Sequence, residues 1–144
     1  MAERTIRDII AGQDLLTAPP QITVAEAARQ MRQRNVGAML VVEGGKLAGI
    51  FTERDALFRV VAAGLDSSTT PLQVVMTAKP QSIDPDQDFA HALAMMHEGR
   101  FRHLPVTEGG RPVGMLSVRD ALGPELESFV YELLRQEQVS QILA

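Results

Sequence analysis

Apolar residues along this chain follow a helical spacing and then a strand spacing, and this change of period occurs twice. Residues 23–31 carry apolar side chains every three or four positions, which predicts an amphipathic helix. The short apolar runs 36–42 and 47–51 follow, on either side of the turn sequence EGGK at 43–46, and predict a β-hairpin. A second helix is predicted at 53–63, so the first unit is helix, strand, strand, helix.

The same order of elements returns 65 residues further along the chain. Segment 49–57, GIFTERDAL, reappears as GMLSVRDAL at 114–122, and aligning residues 6–57 with 71–122 gives 13 identities in 52 positions without a gap. The second unit is predicted to have its helix at 89–97 and its strands at 101–107 and 112–116. Nine of the 13 identities fall between residues 41 and 57, a density that indicates an internal duplication.

The duplication predicts the fold class. A half of about 60 residues exposes an apolar sheet face that its twin can cover, and it is too small to bury a core alone. We therefore expect an α/β (α+β) fold in which two pseudo-symmetric repeats pack through their sheets. The predicted boundaries are 1–64 for the first repeat with its N-terminal segment, 65–70 for a linker, 71–123 for the second repeat and 124–144 for a C-terminal helix.

Composition and charge exclude several classes of protein. The 144 residues are 45% hydrophobic and 22% charged, which is ordinary for a globular domain. A net charge of −4 offers no basic surface for DNA or an anionic membrane, and no apolar run approaches the roughly 18 residues that cross a bilayer. The absence of cysteine and of a signal peptide suits the cytoplasm. We expect a cytoplasmic protein with neither a DNA nor a membrane partner.

The motif Gly-x-x-[Thr/Ser]-x-Arg-Asp stands where each predicted hairpin ends and a helix begins. Thr52 and Ser117 occupy the N-cap position, and Asp55 and Asp120 follow three residues later, which is a helix-capping arrangement. Capping does not by itself require the glycine or the arginine of the motif. A carboxylate at a helix start can also accept the two hydroxyls of a ribose, as carboxylates do in dinucleotide sites. The residues alone leave both interpretations open.

Residues 36–57 (VGAMLVVEGGKLAGIFTERDAL) and 101–122 (FRHLPVTEGGRPVGMLSVRDAL) resemble a tandem pair of CBS domains, also called a Bateman module. The resemblance extends over about residues 6–122. It implies a regulatory module that binds AMP, ADP, ATP or S-adenosylmethionine in clefts between its repeats, with no required cofactor. It also implies a homodimer, in which two modules form a disc, and a partner in trans such as a regulated enzyme or transporter.

The resemblance assigns three kinds of contact residue. The ribose would be bound by the carboxylates and hydroxyls of the motif: Asp55, Thr52, Asp120 and Ser117. The adenine pocket would be lined by apolar side chains: Ile50 and Met115, with Val36 and Ala38 in the first half and Leu104 in the second. The phosphates would be bound by basic side chains: Arg102, His103, Arg119 and Arg54. Because the first copy has Gly37 and Ala38 where the second has Arg102 and His103, we expect the tighter site beside Asp120.

Other chemistry finds little support in the residues. His91, His97 and His103 are six positions apart, so a helix does not bring the first two onto one face, and we predict no metal site. No Ser, His and Asp arrangement with a supporting motif is present, so we predict no catalytic residue and no enzyme. The alternative to an adenosine sensor is a ligand-independent dimerisation or scaffold module, in which Asp55 and Asp120 only cap helices.

Overall fold

The computed structural model describes residues 5–121 and 131–138, and of Asp120 and Ala121 it describes only the backbone. Both repeats contain the predicted order of helix, strand, strand and helix. The first half comprises α1 (Ile6–Ile10), β1 (Thr17–Ala18), α2 (Val24–Arg34), β2 (Ala38–Glu43), β3 (Lys46–Thr52) and α3 (Glu53–Asp55), which continues as a π-helical segment, Ala56–Val61. The second comprises α4 (Leu72–Val75), β4 (Thr77–Ala78), α5 (Phe89–Gly99), β5 (His103–Glu108), β6 (Arg111–Ser117) and α6 (Val118–Ala121).

Helix α2 shows how the local sequence sets the ends of an element. Thr23 is its N-cap, and the threonine Oγ1 accepts a hydrogen bond from the N–H of Glu26. Asn35 ends the helix in the left-handed conformation, with a φ of 52°. The apolar stripe that the spacing predicts is buried in the core of the first repeat: Val24, Ala27 and Met31.

The strands of the two repeats pair in the same register. In the hairpin of β2 and β3, Ala38 pairs with Thr52, and in that of β5 and β6, His103 pairs with Ser117, 65 residues later. Both hairpins also carry an irregularity in register at equivalent positions. The first sheet has the order β1-β2-β3-β4, with β1 parallel to β2. In the second repeat this parallel pairing is reduced to a bridge from Ile83 to β5.

Each repeat receives the short helix that precedes the other. Ile6 of α1 is fully buried in the core of the second repeat, together with Leu104 and Leu116. Leu72 of α4 is fully buried in the core of the first repeat, together with Phe51. The two repeats are therefore interlocked as well as packed against each other, and the sequence interpretation did not include this exchange.

The two hairpins also contact each other directly. Strands β3 and β6 are neighbours, and the N–H of Leu47 donates a hydrogen bond to the carbonyl oxygen of Gly110 over 2.9 Å. The residue 65 positions after Leu47 is Pro112, which has no N–H to donate. The pseudo-symmetry of the backbone is therefore incomplete in its hydrogen bonds.

The glycine of the motif makes room for the exchanged segments. A Cβ on Gly49 would lie 2.5 Å from Met76 Sδ and 3.0 Å from the carbonyl oxygen of Thr77. A Cβ on Gly114 would lie 2.6 Å from the Cβ of Ile10. A side chain at either position would displace a neighbour, so close packing favours glycine at both, which the capping interpretation of the motif did not explain.

The C-terminal part is described only in one short stretch. Residues 131–138 form helix α7 and are exposed, and the rest of the predicted C-terminal helix, like residues 1–4, lies outside the described residues. The predicted boundaries at residues 64, 70 and 123 stay predictions. Within residues 5–121 and 131–138, no helix is both long enough and apolar enough to cross a bilayer.

Candidate functional site

The motif of the first repeat forms the predicted helix cap. Thr52 Oγ1 accepts a hydrogen bond from the N–H of Asp55 over 3.2 Å, and Asp55 Oδ2 accepts one from the N–H of Thr52 over 3.0 Å. Asp55 is buried, with 7% of its surface exposed. This carboxylate therefore supports the junction of β3 and α3.

The motif of the second repeat has the same backbone frame. Helix α6 begins directly after β6, and the N–H of Val118 donates to the carbonyl oxygen of Arg102 over 3.0 Å. The first repeat makes the equivalent bond, from the N–H of Glu53 to the carbonyl oxygen of Gly37, also over 3.0 Å. The side chain of Asp120 lies outside the described residues.

A cavity of about 930 Å³ lies between the two repeats. One wall is the segment that joins α1 to β1, and the next is the end of α2 with the start of β2. The third wall belongs to the second repeat, at the starts of β5 and α6 and in β6. The lining residues are Gln13, Asp14, Leu15, Leu16, Met31, Arg32, Asn35, Val36, Gly37, Ala38, Glu53, Arg102, His103, Met115, Ser117, Val118 and Arg119.

Seven of the residues predicted from the sequence line this cavity together. They come from both repeats: Val36, Ala38, Arg102, His103, Met115, Ser117 and Arg119. The sequence interpretation placed Val36 and Ala38 in the first half's adenine pocket, but in the structure they line the same cavity as Met115 and Ser117 of the second half. A cleft of this fold is thus built from the strand start of one repeat and the motif of the other.

Five other predicted residues do not line the cavity. Leu104 is fully buried in the second core, and Ile50 packs in a small cluster between the repeats with Leu40 and Met115. The Arg54 guanidinium lies over the ring of Phe58, 4.9 Å from its centre. The remaining two, Thr52 and Asp55, form the cap described above.

Three arginines line the cavity against two carboxylates, those of Asp14 and Glu53. Arg32, Arg102 and Arg119 line it, and within the described residues no carboxylate lies at ion-pairing distance from these guanidinium groups. Asp14 also lines it, but its carboxylate is paired with Arg34 over 3.1 Å. A phosphate would therefore meet uncompensated positive charge on part of this wall.

Comparison with known proteins decides the family. The CBS domain model matches residues 6–62 and 73–124. The chain belongs to the CBS domain family. This confirms the resemblance inferred from the sequence and the predicted fold class of two CBS repeats. CBS domain pairs are typically regulatory modules, and proteins that contain only CBS domains are generally not enzymes.

Individual relatives are similar over most of this CBS pair. It is 37% identical over 121 residues to the CBS domain-containing protein CBSCBSPB5 of Arabidopsis thaliana, covering 83% of this chain and 22% of that protein. The CBS-domain containing protein ATU1752 from Agrobacterium tumefaciens superposes with a TM-score of 0.77 at 31% identity, over 85% of this chain and 99% of that one. The protein PAE2072 from Pyrobaculum aerophilum, solved in complex with AMP, superposes with a TM-score of 0.72 at 25% identity, over 81% and 88% of the two chains.

The sequence interpretation missed several residues of the CBS pair's cavity. Arg32 lies outside the predicted apolar stripe of α2, and helical spacing does not show that the end of the helix borders a cleft. Gln13 has no motif at all, yet its side-chain amide donates to the carbonyl oxygen of Met115 over 2.8 Å and accepts from the N–H of Met115 over 2.7 Å. A signal existed in the repeat alignment, since residues 12–13 correspond to the strand β4.

Proposed function

We propose that this CBS pair binds one of the adenosine-containing ligands AMP, ADP, ATP or S-adenosylmethionine in the cavity between its repeats, and that binding regulates a partner in trans. The observation that carries the proposal is the cavity itself. Its volume of about 930 Å³ lies in the range of small-molecule sites, and it combines an apolar wall with unpaired cations. The AMP complex of PAE2072 supports the same ligand class.

The cavity offers a separate surface for each part of the ligand. Adenine would contact Val36 and Met115, apolar residues that line the cavity from the two repeats. The ribose would lie at Ser117 and Asp120, at the start of α6. The phosphate would bind Arg102, assisted by His103 and Arg119 through charge-assisted hydrogen bonds. In this arrangement, recognition of the base comes from both repeats and recognition of the phosphate from the second.

Regulation requires that the ligand favour one arrangement of the protein over another. We propose a homodimer as the unit that changes. Support comes from exposed apolar side chains on the π-helical segment and on α7: Leu57, Phe58, Val61, Tyr131, Leu133 and Leu134. A second CBS pair that covered these side chains would transmit a change at the cavity to a bound enzyme or transporter.

Isothermal titration calorimetry with AMP, ATP and S-adenosylmethionine tests the proposal. We expect saturable binding of at least one of them, and a loss of about 10- to 100-fold in AMP affinity in Arg102→Gln, because a hydrogen bond to a charged group contributes about 1.5–3 kcal/mol. The matched control is Arg111→Gln, an exposed arginine on β6 that does not line the cavity. Absence of saturable binding by all three compounds would contradict the proposal.

The second candidate is a ligand-independent dimerisation module. The capping box at Asp55 and the exposed apolar side chains on two helical segments favour it. In that case nucleotides would leave the melting temperature and the oligomeric state unchanged, and Asp120→Ala would only remove a cap, at a cost of about 0.5–2 kcal/mol. Light scattering and thermal unfolding with and without AMP separate the two candidates.

A further inference from the structure

We infer that Arg59 makes the two halves of this CBS pair unequal: it holds Asp55 in a structural latch, so that the chain binds one adenosine ligand, in the cavity beside Ser117. The inference rests on the proposed function for the identity of the ligand. The latch itself rests on contacts among the described residues, which join a motif carboxylate, the π-helical segment and the exchanged helix α4.

Arg59 connects three elements of the first half. Its Nε lies 3.5 Å from Asp55 Oδ1, one helical turn earlier. Its Nη1 donates to the carbonyl oxygens of Val75 and Met76, over 3.3 Å and 3.1 Å. These carbonyls stand at the C-terminal end of α4, which belongs to the second half by sequence and completes the first core. The guanidinium therefore ties the motif carboxylate to the exchanged helix.

The latch leaves Asp55 poorly placed to bind a ribose. One carboxylate oxygen accepts the N–H of Thr52 and the other faces Arg59. The residue is buried and does not line the cavity. Each oxygen keeps a further acceptor site, but a ribose diol would have to reach that site inside the protein, next to the Arg59 guanidinium.

The second half lacks the arginine that forms the latch. The residue 65 positions after Arg59 is Pro124, which carries no cation, so the sequence has no arginine four positions after Asp120. The positions predicted to bind phosphate also favour the second half. In the first half the Glu53 carboxylate lies against Gly37, with Oε1 3.1 Å from where a Cβ would stand, whereas the second half has Val118 and Arg102 at these positions.

The segments beside the two motifs differ as well. In the first half, β4 pairs through its backbone, Thr77 with Ile50, along the edge of β3. In the second half, no strand of the described residues pairs with the equivalent edge of β6. There the side chain of Gln13 makes two hydrogen bonds to the backbone of Met115. The first edge is therefore paired by a strand, whereas beside the cavity the second edge is bonded by the side chain of Gln13.

The stoichiometry of AMP binding tests the inference on the full chain. We expect one AMP per chain by calorimetry, with protein concentration fixed by amino-acid analysis, and one AMP adduct per chain in native mass spectrometry. We expect Asp55→Asn to keep AMP affinity within about twofold and Asp120→Asn to weaken it at least 10-fold, the loss of one charge-assisted hydrogen bond. Two AMP per chain, or the reverse order of the two variants, would overturn it.

A thermodynamic cycle tests the latch without any nucleotide. Asp55→Asn and Arg59→Gln should each lower the urea midpoint, and the double variant should lower it little more than the stronger single variant, because both changes break one contact. Arg54→Gln, on the same turn of helix, is the matched control and should combine additively with Asp55→Asn. Additive effects of Asp55 and Arg59 would refute the latch, whereas failure of every adenosine compound to bind would refute the proposed function and leave the coupling intact.

Discussion

The first repeat holds its motif carboxylate, Asp55, inside the protein, whereas the second repeat brings Ser117 and Arg102 to the wall of a cavity. The strand register that carries the two motifs is the same, so the hairpins themselves do not explain the difference. Side chains at equivalent positions do differ, with Arg59 in the first half against Pro124 in the second. The comparison teaches that a duplicated fold can keep the geometry of its hairpins while the side chains and segments beside them give the two motifs different surroundings.

The largest effect on stability is expected when a contact of an exchanged helix, α1 or α4, is removed. Leu72→Ala and Ile6→Ala each delete a fully buried side chain from the core of the opposite repeat and should lower the free energy of unfolding by about 2–5 kcal/mol. Because each core contains a helix from the other half, both variants should still unfold in one transition, followed by circular dichroism in urea.

Val74→Ala is the control for that experiment, since Val74 lies on α4 but is 63% exposed. It should change the free energy of unfolding by no more than about 0.5 kcal/mol. Two separate unfolding transitions in Leu72→Ala would show that the repeats are independent, contrary to the interlocked arrangement.

The motif glycines should tolerate a methyl group unequally. In Gly114→Ala the new Cβ would meet the branched Cβ of Ile10 at 2.6 Å, so α1 must shift, and we expect a loss of about 1–3 kcal/mol. In Gly49→Ala the nearest atom is the sulfur of Met76, part of a flexible side chain, and the loss should be smaller. Urea unfolding measures both, and an equal or greater loss in Gly49→Ala would contradict the comparison.

The side chain of Gln13 should contribute to stability, whereas its counterpart 65 positions later, Ala78, has no side chain that can form a hydrogen bond. Gln13→Ala removes two hydrogen bonds to Met115 and should cost about 1–2 kcal/mol, less than two buried bonds because Gln13 is exposed. Hydrogen exchange at the Met115 amide should become faster. Gln13→Glu would place a carboxylate oxygen against the carbonyl oxygen of Met115, so it should cost at least as much as Gln13→Ala. Unchanged exchange in Gln13→Ala would argue against the contact.

The smallest expected effect on stability comes from a charged contact that α2 has and α5 lacks. Hydrogen bonds from Arg29 and Gln30 lower the pKa of the exposed Glu26 below its ordinary value, whereas α5 has His91 and Ala94 at the positions of Glu26 and Arg29. A lowered folded pKa adds stability above the unfolded pKa, near 4.3, and that stability is lost as the pH falls through the folded value.

Glu26→Gln should therefore be slightly less stable than the unmodified protein at pH 7, and the difference should disappear on acidification through pH 4. Salt should reduce it as well, because the ion pair is exposed. Thermal unfolding at several pH values measures the difference, and a gap that persists at pH 3 would contradict the role of the charge.

Local patterns determined the main helices and the two hairpins, the duplication and the family of this protein. Helical and strand periods are properties of neighbouring residues, so the spacing within 23–31 and the two apolar runs around EGGK were enough to predict α2 and the first hairpin. The repeat alignment then carried the same elements to the second half, and the motif around Asp55 and Asp120 carried the resemblance to CBS domains.

Only the tertiary structure decided which half completes which core and which residues share a cleft. The apolar faces of α1 and α4 fit either core by pattern alone, and the room left at Gly114 and Gly49 shows where they pack. Val36, Arg32 and Gln13 reach the cavity because elements distant in sequence meet there. The period of apolar residues shows which side of a helix or strand is apolar, but it does not show which other element packs against that side. The cavity depends on that packing.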